Sequence, residues 1–178
     1  LFRAAEGRGI VVVYDTPVLD LLTTADGRVH GVRTQAPEGL MDIHARAVIL
    51  ACGGFEASDT RRARYLGTEW EKVHVRGTRH NTGELLDRLD ALDAQLGGHL
   101  DGAHAVPVDA GSPEVGDLNL GDLTARLSYP FGIMVNQDAQ RFIDEGMDFK
   151  SYSYTVMGPA ILRQPGGTAY QIFDQQTV

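Results

Sequence analysis

The amino-acid sequence predicts a mixed α/β and α+β protein, and three observations support this prediction. Short β-prone runs fill the first third of the chain, and the last of them, "AVILA" at 47–51, stops at a pair of glycines. Four leucines then recur at helical spacing. After a long irregular segment, the final third again alternates predicted strands with a helix. With 43% hydrophobic and 22% charged residues, the composition is that of a chain that buries a core.

The first third predicts a small β-meander that leads into one buried strand. Asp26 and Gly27 stand between apolar segments and predict a hairpin turn. The run at 47–51 is wholly apolar, which is typical of a strand buried on both faces of a sheet. Two glycines directly after it predict either a tight turn or a close approach of the backbone to a large ligand. The predicted strands are 10–14, 18–24, 41–45 and 47–51.

Two helices follow the glycine pair. Ser58 or Asp59 is predicted to cap a short helix that Gly67 ends. The next helix has an apolar stripe at i, i+4, i+7 and i+11, formed by Leu85, Leu89, Leu92 and Leu96. Asn81 and Glu84 resemble a capping box for this helix, and a second glycine pair closes it.

Charge and cysteine content exclude several classes of function. The net charge of −8 and the sequence pI of about 5.1 argue against a nucleic-acid surface, which needs clustered basic residues. The lone Cys52 cannot form an internal disulfide, and a reducing cytoplasm fits best. No apolar run approaches the ~20 residues of a membrane helix. Because Leu1 stands in what reads as the last turns of a helix, we expect a piece of a longer protein.

From His99 to Tyr129 the sequence loses its periodicity, and Asp, Gly and Pro dominate. A long irregular segment is often a functional loop or a domain boundary. We place the boundary so that the domains are 1–103 and 104–178. The second domain is predicted to hold a hairpin from "FGIMVN" and "RFIDE", a short helix at "GPAILRQ" and a final strand at "TAYQIFD".

Three segments in this order resemble the flavoprotein subunits of the fumarate reductase and succinate dehydrogenase family. They are "AVILACGGFEAS", "RGTRHNTGELLDRLDALDAQLGG" and "FGIMVNQDAQRFIDEG". The last keeps a family hairpin pattern, with Ala139 in place of the usual Gly; the positions kept are Gly132, Ile133, Val135, Asn136, Arg141, Phe142 and Glu145. The run "RGTRHNTG…GHLDGAHAV…SYPFGIMVN" is most similar to the tricarballylate dehydrogenase branch.

The resemblance implies that 1–103 is part of an FAD-binding Rossmann-like domain and 104–178 part of an α+β substrate-cap domain. It implies FAD in the full-length protein, and no FAD bound to this piece alone, since the G-x-G-x-x-G phosphate loop is not in it. The implied cofactor contacts are Val18, Ala51, Cys52, Gly53, Gly54, Thr82, Gly83 and Glu84. Cys52 replaces the family's usual Thr, and Glu84 replaces its Asp. A plain glycine turn and ordinary helix capping are the alternative interpretations.

The resemblance also implies substrate contacts in the cap. His104 stands where the family carries a His that binds a substrate carboxylate, a task suited to charge-assisted hydrogen bonds; a surface loop His is the alternative. Arg126, Ser128 and Tyr129 precede the hairpin and are further candidate carboxylate contacts. A metal site at His99, Asp101 and His104 lacks a supporting ligand pair, and we predict none.

The resemblance does not assign the proton-transfer residue to one position. The family uses an Arg that follows the Glu of the hairpin. Counting forward from Glu145 ends near Lys150, and counting back from "AILRQ" ends at Tyr154. Neither residue is Arg, so both become candidates for proton transfer. A solvated surface loop is the alternative for this segment.

The activity implied is hydride transfer from a carbon beside a carboxylate to the flavin, with tricarballylate oxidised to cis-aconitate as the first expectation. The implied partners are a small-molecule polycarboxylate and an electron-acceptor protein or membrane partner, with no nucleic acid. Two alternatives stay open: the flavin part of a precorrin-3B synthase-like cobalamin enzyme, and a degenerate binding module without catalysis.

Overall fold

The computed structural model describes residues 1–176, which form two compact units. One unit holds Leu1–Cys52 and Glu84–Leu96, and the other holds Gly53–Gly83 and the chain from Gly97 onward. The helices are α1 Phe2–Glu6, α2 Asp59–Leu66, α3 Leu86–Ala91 and α4 Lys150–Leu162. The strands are β1 Val18–Thr23, β2 Val29–Ala36, β3 Gly39–His44, β4 Ile133–Val135 and β5 Tyr170–Ile172. Short 3₁₀ turns lie at Thr68–Lys72, Gly121–Thr124, Tyr129–Phe131 and Pro165–Gly167.

The predicted meander forms the first unit's sheet, in which β1, β2 and β3 are antiparallel neighbours. The hairpin between β1 and β2 turns at Gly27, whose φ of +81° is one that Gly adopts without a steric penalty. The N–H of Gly27 donates to the carbonyl of Thr24 at 2.9 Å. Gly31 is needed for strand pairing, because a Cβ there would lie 2.3 Å from the carbonyl oxygen of Ile43.

Helix α3 covers less of the chain than the leucine stripe predicts. It runs from Leu86 to Ala91, and the backbone turns away at Asp93, whose φ is +52°. The predicted cap is also wrong, because no side chain caps α3 and the Asn81 amide donates to the carboxylate of Glu56. Leu85 is nevertheless buried.

Two predicted strands are irregular in the structure. The segment 10–14 and the run 47–51 have no strand geometry, and Val11 and Ile49 expose 84% and 91% of their surfaces. A strand that is apolar on both faces needs neighbours to pair its backbone and cover its side chains. Within residues 1–176 no strand pairs with either run. The prediction that 47–51 is a buried strand is therefore wrong for this structure.

In the second unit, α2 begins and ends as predicted. The Ser58 hydroxyl accepts from the N–H of Arg61 at 3.3 Å, and Gly67 ends the helix with a φ of +118°. Arg62 of α2 is buried and donates to backbone carbonyls of Glu56, Trp70, Glu71 and Val73. One guanidinium thus ties the segments on both sides of α2 to the helix.

The predicted hairpin after residue 131 is only partly present. Its turn forms, with the Asn136 N–H donating to the Gln140 carbonyl, and Ala139 takes the left-handed conformation that the family's Gly would favour. The return segment meets β4 at a single bridge, between Val135 and Arg141. The main partner of β4 is β5, the predicted final strand.

Helix α4 packs on the core of the second unit. Tyr129, Met134 and Met157 are fully buried there. The Tyr129 hydroxyl lies 2.7 Å from the hydroxyl of Ser153 on α4. The helix has 13 residues, nearly twice the predicted length at "GPAILRQ", and it includes Lys150 and Tyr154, for which a surface loop was the alternative.

Candidate active site

The glycine pair after residue 52 faces the segment that contains Thr82. Gly53 has a φ of +82°, and a Cβ there would lie 2.5 Å from the side-chain oxygen of Asn81. The Asn81 carbonyl accepts from the N–H of Ala57 at 2.9 Å, and its amide bonds to Glu56, so Asn81 is fixed from two sides. The glycine at 53 is therefore required by the protein's own Asn81.

Thr82 carries a buried hydroxyl that has no hydrogen-bond partner among residues 1–176. Buried polar groups are nearly always hydrogen-bonded, so an unpaired one marks a place where a ligand atom could bind. Gly83 beside it has a φ of +74°, which few other residues adopt. The structure thus brings Gly53, Gly54, Thr82 and Gly83 into one unit, around Asn81.

The other four predicted cofactor contacts lie in the first unit. Val18 opens β1, and Glu84 is exposed just before α3. Ala51 and Cys52 are exposed in the irregular segment, where Cys52 is a free thiol. Their cofactor contacts remain predictions.

His104 and Tyr154 are brought together in the second unit. Their rings meet edge to face, with centroids 5.0 Å apart and an interplanar angle of 74°, an arrangement that aromatic quadrupoles favour. His104 is exposed and Tyr154 half-buried against the core. In the described chain neither the imidazole nor the Tyr154 hydroxyl takes part in a hydrogen bond. Both polar groups are therefore available to form a hydrogen bond with a ligand.

Lys150 lies on the same helix as Tyr154, one turn earlier, as the first residue of α4. Side chains four residues apart on a helix share a face. Lys150 is exposed, and no carboxylate of the described residues pairs with its ammonium group. Both candidate proton-transfer residues therefore lie on one face of α4.

Arg126 is already engaged by another side chain. Its guanidinium lies 2.6 Å from the carboxylate of Asp109 and also donates to the carbonyls of Leu123 and Ala125. Hydrogen bonds from the Gly111 amide and from Arg126 lower the pKa of Asp109. A substrate carboxylate would have to share Arg126 with this ionised partner.

Ser128 and Tyr129 differ in their access to a ligand. Ser128 is exposed, and its carbonyl accepts from the N–H of Phe131 at 3.0 Å. Tyr129 is fully buried, with its hydroxyl against Ser153. The prediction that Tyr129 contacts a substrate carboxylate is therefore wrong, because its polar atom faces the core.

The described residues contain neither a metal cluster nor a membrane-spanning helix. No group of three or more His, Cys, Asp and Glu side chains in residues 1–176 is placed to hold a metal ion. No helix within that range has both the length and the apolar character to cross a membrane.

Comparison with known proteins identifies the family. The profile described as "FAD binding domain" matches residues 1–174. The chain belongs to this FAD-binding domain family. FAD is therefore the cofactor of the family, as predicted, and the mixed α/β fold is that of the fumarate reductase-like flavoenzymes.

Individual relatives agree with this FAD-binding domain assignment. The 3-oxosteroid 1-dehydrogenases of Mycolicibacterium smegmatis and Mycobacterium tuberculosis are 30% and 31% identical to the chain; each alignment covers 94% of the chain and 30% of the relative. The open conformation of a flavocytochrome c3 fumarate reductase has a TM-score of 0.70 at 25% identity, covering 99% of this chain and 29% of that one. A 3-ketosteroid Δ1-dehydrogenase from Sterolibacterium denitrificans shares the fold, with a TM-score of 0.73 at 23% identity over 99% of this chain and 31% of that one. The chain spans about 30% of the length of these relatives.

The residues around Asn81 fit the family's cofactor. A flavin dinucleotide offers many hydrogen-bond acceptors and donors, and the unpaired Thr82 hydroxyl could bond to either kind. Gly83, whose φ is +74°, places backbone without a side chain directly after this hydroxyl in the chain. These groups would hold part of FAD, and FAD would supply the acceptor for a hydride.

Sequence reasoning missed two residues that shape these sites. Asn81 was interpreted as a helix cap, but it packs against Gly53 and bonds to Glu56. Asp109, which engages Arg126, lies in the irregular segment, and no local pattern links the two. Asn81 is likewise distant from Gly53 in the sequence, and no local pattern predicts that they are in contact.

Proposed function

We propose that the full-length protein is an FAD-dependent dehydrogenase that oxidises a CH–CH bond of a small molecule. The observation that carries the proposal is the His104–Tyr154 pair, whose rings are 5.0 Å apart with their polar atoms free. The family assignment adds the cofactor. We retain as part of this proposal the division into an FAD-binding part, 1–103, and a substrate-cap part, 104–178, and a cytoplasmic location.

The residues of the cap divide the work between binding and proton transfer. The His104 ring N–H donates a hydrogen bond to a carboxylate or an activating carbonyl beside the reacting carbons. Tyr154, or Lys150 one turn before it, acts as the base in its deprotonated form: its oxygen or nitrogen takes the proton from one carbon while the hydride leaves the other carbon for FAD. Ser128 and Arg126 are auxiliary polar contacts, and Arg126 must share its charge with Asp109.

A polycarboxylate such as tricarballylate is the first substrate we propose, because Lys150 supplies positive charge and His104 and Arg126 offer N–H donors in the same unit. The second is a 3-oxosteroid, because the two mycobacterial relatives are named 3-oxosteroid 1-dehydrogenases. Phe149 and Tyr152 favour it, because these two large aromatic residues at the start of α4 are 78% and 73% exposed. An electron-acceptor partner is part of either proposal.

The test uses the full-length flavoprotein without oxygen. Tricarballylate and a 3-oxosteroid are added separately, and the flavin absorbance is followed for bleaching. We expect one of them to reduce the flavin, and His104→Ala to slow that reduction by about 10²-fold, the size of a lost positioning contact. His99→Ala is the matched control, since His99 is an exposed His of the same irregular segment.

The outcomes separate the proposals. Bleaching by the steroid alone rejects the polycarboxylate. Flavin that neither compound reduces rejects both substrates, and equal rates for His104→Ala and His99→Ala reject His104 as the binding residue.

A further inference from the structure

Helix α4 makes an unusually close contact with the segment that carries His104. A Cβ built on Gly158 would lie 2.6 Å from the carbonyl carbon of Ala105, 2.7 Å from its oxygen and 2.8 Å from the nitrogen of Val106. All three atoms are backbone, so no side-chain rotation could relieve the overlap. Any residue other than glycine at 158 would push the segment and the helix apart.

This contact lies directly beside the candidate catalytic pair. Ala105 follows His104 in sequence, and Gly158 is one helical turn after Tyr154, on the same face of α4. The edge-to-face contact of His104 and Tyr154 therefore depends on how closely 104–106 approaches the helix. Separating the two backbones would move the His104 ring away from Tyr154.

The helix itself cannot easily yield to relieve a clash. Met157 and Ser153 of α4 are buried, and the Ser153 hydroxyl is bonded to that of the fully buried Tyr129. The segment at 104 is more exposed and has no strand or helix of its own. A larger residue at 158 would thus displace His104 and leave Tyr154 in place.

A glycine inside a helix needs a reason, because it is less favourable there than alanine. Gly158 is followed by Pro159, which has no N–H to donate along the helix. Local helix preference therefore explains neither residue, whereas the approach of the 104–106 backbone explains Gly158.

We propose that Gly158 is a positioning residue of the active site: the absence of its side chain holds His104 against Tyr154. The inference rests on the proposed function, since it assigns Gly158 to the same pair. It adds a residue that would contact neither substrate nor cofactor and would act only through the backbone of 104–106.

The experiment compares Gly158→Ala with wild type in the full-length flavoprotein, using two readouts. The first is the NMR signal of the His104 ring in protein labelled with ¹³C-histidine, assigned with His104→Ala. Tyr154→Leu defines how far the Tyr154 ring shifts that signal. We expect Gly158→Ala to move the His104 signal to its position in Tyr154→Leu. Gly77→Ala is the matched control, because a Cβ at Gly77 meets nothing within 4 Å.

The second readout is the rate of flavin reduction by the substrate that bleaches wild type. We expect Gly158→Ala to lower this rate by about 10–100-fold. In a His104→Ala background, the same substitution should change the rate by less than about 2-fold, because coupled residues are not additive. A purely structural role would give the same loss in both backgrounds.

Each result supports or overturns the inference. An unchanged His104 signal in Gly158→Ala overturns it, even if the substrate reduces the flavin. A displaced signal with an unchanged rate also overturns the positioning role. If no substrate bleaches wild type, the proposed function fails while the NMR comparison still tests the packing. Should Gly158→Ala not fold, Ala105→Gly loosens the same segment without adding an atom, and an unchanged His104 signal there would overturn the inference.

Discussion

At the scale of single residues, two buried charged groups in the second unit are stabilised in different ways. Arg62 donates to four backbone carbonyls, and burial lowers the pKa of its guanidinium while the charge of Asp59 acts in the opposite direction. Glu145 exposes 4% of its surface, accepts from the backbone N–H of Met134, and pairs with Arg141 at 2.6 Å. Such arrangements compensate the cost of removing a charge from water.

Glu145 gives a prediction about pH. Burial alone would raise the pKa of Glu145, but hydrogen bonds from the Met134 amide, its own amide and Arg141 lower it below 4.5. Because the folded pKa is below the unfolded one, this stabilisation is present above the unfolded pKa and is lost as pH falls through the folded pKa. We expect Glu145→Gln to lower the free energy of unfolding at neutral pH by about 1–3 kcal/mol.

The measurement is urea unfolding of both proteins from neutral pH down to about pH 3. The difference between wild type and Glu145→Gln should shrink as the solution becomes more acidic. Glu38→Gln is the control, since Glu38 is exposed in the turn between β2 and β3. A difference that stays constant with pH would contradict the role given to the Glu145 charge.

At the scale of elements, the sequence predicted correctly those turns, caps and helix ends that depend on residues close together in the chain. The Gly27 turn, the Ser58 cap and the Gly67 stop each need residues only a few positions apart, and all three form. The prediction of a buried strand at 47–51 was wrong because such a strand needs neighbouring strands to pair with, and the sequence of the run itself does not show whether those strands are present. The helix-cap prediction for Asn81 was wrong for a related reason. Its side chain could cap a helix or bond to Glu56, and the choice depends on the tertiary structure.

The position of α4 also depends on a tertiary contact, and this gives a second prediction. Tyr129 and Ser153 share a buried hydrogen bond of 2.7 Å between a 3₁₀ turn and the helix. We expect Tyr129→Phe and Ser153→Ala each to lower the free energy of unfolding by about 1 kcal/mol, the net value of a hydrogen bond. The double variant should lose less than the sum, because both substitutions remove the same bond.

Chemical unfolding of the four proteins completes this cycle. Thr155→Ala, elsewhere on α4, shows what loss of a hydroxyl costs without the Tyr129 contact. Strict additivity of Tyr129→Phe and Ser153→Ala would show that the bond does not anchor α4.

At the scale of the whole molecule, apolar surface is left uncovered. Val11 and Ile49 are among the most exposed apolar residues, and within residues 1–176 the backbone around them pairs with no strand. Exposed apolar segments with unpaired backbone favour pairing with other chains. We expect the 178-residue chain on its own to self-associate, and Val11→Lys with Ile49→Lys to increase the monomer fraction.

Light scattering after size-exclusion chromatography measures this fraction. Thr60→Lys with Ser151→Lys adds two positive charges at exposed helical positions and serves as the control. A wild-type chain that is monomeric at high concentration would contradict the expectation. An equal response to both pairs of substitutions would show that added charge, and not the two apolar runs, controls association.

The pairing of β4 with β5 has a consequence for the order of folding. The strands of the β1–β2–β3 meander follow one another directly, so each pair closes over a short turn. Ile133 of β4 instead pairs with Ile172 of β5, and the whole of α4 lies between them in the sequence. Because contacts between distant residues form more slowly than local ones, the meander should gain protection from hydrogen exchange early. During synthesis on the ribosome, β4 would leave the exit tunnel without its partner strand.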